Sequence, residues 1–81
     1  MTEQLKYRGR LAERQFEAKK LMLRMDGLRK SIRDILDPFE DIAELRVEVA
    51  VEQALELAGL QADLKETTDT IAAINKALGN Y

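Results

Sequence analysis

Eighty-one residues bound this chain to one domain at most, near the lower limit for an independent core. With two Phe, two Tyr, no Trp and 35% charged residues, burial must come from Leu, Ile, Val, Met and Ala, a composition suited to thin helix–helix seams. The absence of Cys removes disulfides and thiolate metal sites, and the absence of His removes the commonest general base and transition-metal ligand.

The first predicted element is a helix over about residues 2–36. Thr2 is its expected N-cap and Glu3 lies in its electropositive first turn. It ends before the only proline, Pro38, because the residue preceding a proline is pushed out of the α region. A turn near 37–40 follows, in which Asp37, Pro38 and Glu40 read as N-cap, first helical residue and capping box of a second helix. That helix is expected to run to about Leu78, with Gly79 as a left-handed C-cap. Gly27, Gly59 and the Thr67–Thr70 run are the places where either helix could break, since glycine and short polar side chains weaken helices.

Residues 1–36 carry ten Lys/Arg against five Asp/Glu, and residues 37–81 carry three against ten. The two halves are therefore oppositely charged and suited to folding back on each other. Apolar periodicity leads to the same fold. On helix one, spacings of three and four select Gln4, Tyr7, Leu11, Arg14, Ala18, Leu21, Met25, Leu28, Ile32 and Ile35. On helix two they select Ala43, Val47, Ala50, Ala54, Leu57, Gln61, Leu64, Thr68, Ile71, Asn75 and Leu78. The chain reads as an all-α, antiparallel two-helix hairpin of coiled-coil character, a single unit over 1–81. Centring the reversal near Phe39 sets Ile35 opposite Ala43, Ile32 opposite Val47, Leu28 opposite Ala50 and Met25 opposite Ala54. Further out it sets Leu21 opposite Leu57, Arg14 opposite Leu64, Leu11 opposite Thr68 and Tyr7 opposite Ile71.

Apolar residues also flank this seam. Met22 and Leu36 on helix one, and Val51, Leu55, Ala58 and Ala62 on helix two, form an expected oligomer face. Phe16 and Leu23, with Leu5 and Ala12, add a further apolar group. Two hairpins pairing into a four-helix bundle would bury most of them, so a homodimer, or a partner helix, is expected.

The chemistry-bearing residues are few. The only serine is Ser31, with no histidine to activate it, and Tyr7 and Tyr81 read as structural. Neither catalytic residue, cofactor site nor metal site is predicted. The i+4 row Glu40, Glu44, Glu48, Glu52 and Glu56 reads as a solvated face neutralised by cations such as Arg29 and Arg33 or by a partner's basic surface, since good cation sites wrap loops or converge from several elements. For nucleic acid the candidate contacts are Lys19, Lys20 and Arg24, but cations spread around the helix, and Glu13, Glu17 and Asp26 interrupt them. No apolar run is long enough to span a membrane, and the N-terminus has no signal-like core. The expectation is a cytoplasmic, non-enzymatic interaction or assembly module, with a nucleic-acid-associated accessory protein as the alternative.

Overall fold

In the computed structural model, which describes residues 3–79, the 33 residues from Glu3 to Ile35 form one uninterrupted helix, α1. Straight-chain residues with good helix propensity dominate it, and Asp26-Gly27 does not break it, because the i, i+4 pair Asp26–Lys30 (2.8 Å) and the i, i+3 pair Asp26–Arg29 (2.6 Å) bridge that turn. The second long helix, α2, spans Val47–Ala77. It too is continuous, through Gly59 and through Thr67–Thr70, where the Thr70 hydroxyl donates to the Glu66 carbonyl at 3.0 Å. At its end Gly79 adopts φ 78° and its N–H donates to the Lys76 carbonyl at 3.1 Å, so a left-handed glycine closes the last turn. Thr2 and Tyr81 lie outside the described residues.

The two helices pack against each other as a hairpin, and strands are absent among the described residues. The body is elongated, 62 × 19 × 14 Å. Asp37-Pro38 does not start α2 as the sequence predicts. The Asp37 carboxylate accepts from the Phe39 N–H at 2.9 Å, and the Glu40 N–H donates to the Asp37 carbonyl at 3.2 Å, which makes one turn and stops. Asp41 then repeats the device: its carboxylate accepts from the Ala43 N–H at 3.1 Å and caps a short 3₁₀ segment over Ile42–Glu44. Leu45 is extended, and only after Arg46 does the helix begin. Two successive aspartates, each bonding the N–H two residues on, compete with helix propagation and lengthen the connection.

This longer turn moves the register. Arg24 bonds to Glu56, with its Nε 2.9 Å from the carboxylate, where the predicted pairing would place it beside Ala54 and Leu55. Met25 shares a cleft with Leu57, and Arg14 shares one with Thr67, so each helix-one residue meets a helix-two residue about three positions later than predicted.

The seam of α1 runs through Tyr7, Leu11, Arg14, Ala18, Leu21, Met25, Leu28, Ile32 and Ile35, all wholly or partly removed from solvent, whereas Gln4, which the sequence also places there, is exposed in the first turn. On α2 the seam residues so protected are Ala50, Gln53, Leu57, Leu60, Leu64, Thr67, Ile71 and Ile74, with Leu78 at its C-cap, and Val49 is partly protected beside them. Val47, Ala54, Gln61 and Thr68, which the sequence places in the seam, are exposed, and Ala43 is exposed in the 3₁₀ turn. Asn75 is half-buried beside the buried Ile74. Every second member of the predicted stripe is thus replaced by the residue before it. The physical reason is size, because this phase buries Ile74 and partly withdraws Leu60 from water, where the other would place Asn75 and Gln61.

A two-helix seam is thin. Among the described residues only Ala18, Ala50, Thr67 and Ile74 are buried. One polar group inside it is unsatisfied: Gln53 Oε1 is buried without a hydrogen-bond partner. Replacing it (Gln53→Leu) is expected to stabilise the hairpin by about 1 kcal/mol, because an unmet buried acceptor costs more than an apolar group of similar shape. A thermal midpoint raised by several degrees would show this. A midpoint unchanged or lowered would show that the amide is satisfied in solution.

Candidate interaction face

With the seam residues as heptad positions a and d, the flanking positions e and g fall on opposite sides of the hairpin, e beside e and g beside g. The two sides differ in chemistry. On the g side stand Arg10, Glu17, Arg24 and Ser31 of α1 and Val49, Glu56, Asp63 and Thr70 of α2. Here lies the interhelical bond between Arg24 and Glu56, and here Arg14 reaches Glu17 at 2.6 Å, lining a cleft with Asp63, Glu66 and Thr70. A second g-side cleft near the turn is lined by Ser31, Asp34, Glu40, Glu44, Arg46 and Gln53, among others.

The e side carries the apolar excess. Within the helices and at the end of α1, the exposed large apolar side chains are Leu5, Phe16, Met22, Leu23, Leu36, Val47, Val51 and Leu55. Each occupies position e, b or f, the arc that begins on the e side and turns outward; none occupies c or g. Ala54, Ala58 and Ala62 lie exposed on the same arc of α2. Met22, Leu36, Val51, Leu55, Ala58 and Ala62 are all exposed and all on this side, with Leu55 69% accessible. Val47 joins them, being half exposed (50%) at the start of α2. Sequence reasoning assigns Val47 and Ala54 to the seam and so misses them here; the sizes of Leu60 and Ile74 hold the signal that sets the phase. At the tip, Phe39 and Ile42 stand in solvent at 95% and 85%.

Among the described residues, nine charged side chains form ion pairs within the chain, and the others are left to solvent or a partner. Lys30 and Arg29 both bond the Asp26 carboxylate and hold its pKa below the ordinary range. Of the residues read as nucleic-acid contacts, Arg24 is bonded to Glu56, and the Lys20 ammonium lies 5.1 Å from the Phe16 ring centre. Lys19 is exposed on the e side, away from Arg24. The acidic row is also interrupted: Glu40 lies in the turn, Glu44 in the 3₁₀ segment, and only Glu48, Glu52 and Glu56 share α2. Arg33 stands near Asp34 (3.5 Å) and Arg29 on Asp26, so Glu56 takes its cation from Arg24, not from the two arginines the sequence suggests. Among the described residues, no group of three or more acidic side chains is placed to hold a metal ion, and no helix is long and apolar enough to cross a membrane. In comparisons with known proteins, the chain matches no protein-family model, no curated protein and no solved structure.

Proposed function

We propose that this protein is a non-enzymatic interaction or assembly module that presents the e side of its hairpin to another helical surface, in the cytoplasm, most simply as a homodimer of two hairpins forming a four-helix bundle. One observation carries the reading: the exposed large apolar side chains of the helices gather on one side, the e, b and f arc, which on α1 they share with the ion pairs of Asp26 with Arg29 and Lys30. Scattered apolar residues are normal on a surface, but a contiguous patch is the usual mark of an interface. The thin seam agrees, since a chain that buries so little gains stability by covering its second face. Sedimentation velocity at micromolar concentration tests the proposal. Reversible association is expected, and a single species with the mass of one chain, 9.2 kDa, at all concentrations would reject it.

The nucleic-acid alternative makes an opposite forecast. Phosphate contacts would give an affinity that falls steeply with salt. With Arg24 engaged by Glu56 and Lys19 set apart from it, no submicromolar binding to duplex or single-stranded nucleic acid is expected at about 0.15 M salt. Such binding, lost when Lys19, Lys20 and Arg24 are all changed to Glu, would favour the alternative.

A further inference from the structure

The outward arc of α2 has its own heptad. Glu48, Val51, Leu55, Ala58, Ala62 and Lys65 alternate spacings of three and four along one uninterrupted helix, at the b and f positions turned away from α1. All six are exposed, with Val51 at 53%. Four apolar residues form the centre, and a charge of opposite sign closes each end.

We infer that this stripe is a self-complementary seam on which α2 of a second copy packs antiparallel, with Leu55 against the second copy's Ala58, Val51 against its Ala62, and Glu48 against its Lys65. The inference rests on the interaction-module reading above and narrows it: the second copy sits on the outward face of α2, and Met22 and Leu36 of α1 stay outside this seam. A twofold axis passing near Glu56–Leu57 makes each of these contacts twice. Large meets small at each apolar pair, so the helices can approach closely at native packing density. The charges select the register. Slipping the second copy by one heptad in one direction sets Leu55 against Lys65, and in the other sets Glu48 against Ala58, so either slip places a charge on the apolar centre. Glu48 and Lys65 are free to make these contacts: both are exposed, and among the described residues neither forms an ion pair. They stand about 25 Å apart on one helix, at about 1.5 Å per residue, too far to meet within one chain.

The test uses two single variants of the full chain, Glu48→Lys and Lys65→Glu. Each change lies on an exposed position, so both variants should fold, as far-UV circular dichroism can verify. Alone, each sets like charges opposite each other at both ends of the seam and should associate roughly tenfold more weakly than wild type at low salt. Mixed, the two variants pair their substituted side chains, lysine against glutamate, at one end of the seam. At the other end the native Glu48 and Lys65 meet, so a heterodimer of near wild-type affinity should form. Single variants that associate like wild type, or a mixture no tighter than its components, would overturn this register. If Leu55→Lys still disrupted association in that case, the e-side face would stand and only the pairing would fall. A wild type that does not self-associate would overturn both.

Discussion

Leu60→Asp is expected to unfold most of the population, while Gln61→Asp leaves the hairpin folded. These neighbours stand on different sides of the surface that α2 presents to α1. Leu60 is a seam residue partly removed from solvent, and Gln61 is exposed beside the cleft lined by Met25 and Leu57. The aspartate at 60 loses roughly 1.5–3 kcal/mol of apolar burial and adds the cost of partly desolvating a charge. That sum approaches the lower end of the stability of a chain this size, about 4 kcal/mol at about 0.05 kcal/mol per residue, where a thin two-helix seam belongs. At 61 the change is a surface one, within about 0.5 kcal/mol. Urea unfolding of both variants checks this. A stable Leu60→Asp protein with an unfolded Gln61→Asp protein would return α2 to the phase in which Gln61 faces α1.

The second large effect is on association. Leu55→Lys should weaken self-association at least about a hundredfold, because a symmetric interface loses two leucines at about 1.5–3 kcal/mol each, and every 1.4 kcal/mol is tenfold. Asp63→Lys, on the opposite g side, should leave association within about threefold of wild type, since an exposed charge is worth about 0–1 kcal/mol. Sedimentation equilibrium of the two variants separates the sides. Equal weakening by both would mean that association does not use the e side.

The hairpin itself is legible in the sequence, and so is the complete seam of α1, because Leu11, Leu21, Met25, Leu28, Ile32 and Ile35 recur with little competition from neighbouring positions. Helix two is harder to phase. Val47, Ala50, Val51, Ala54, Leu55, Leu57, Ala58, Leu60 and Ala62 crowd two overlapping stripes into one helix, and periodicity alone cannot rank them. Side-chain size does: Leu60 and Ile74 against Gln61 and Asn75 decide for the observed seam. The turn misleads for a related reason. Asp37-Pro38 is a sound helix start taken alone, but Asp41 sits four residues on and recaptures the chain. Because the connection is longer, the reversal moves outward and every cross-helix pair moves with it. The six residues expected on an oligomer face are exposed on one side, yet that side cannot be named until the phase of α2 is known.

On the proposal made here, the hairpin, with its thin seam and one-sided apolar surface, completes its burial against a second copy of itself. The most direct measurement is the thermal midpoint of unfolding as a function of protein concentration. Folding coupled to association makes that midpoint depend on concentration, because the partner acts as a ligand of the native state. A midpoint that rises steadily over a hundredfold range, and loses that rise in Leu55→Lys, is the predicted result. A cooperative transition whose midpoint stays constant over the same range would contradict it.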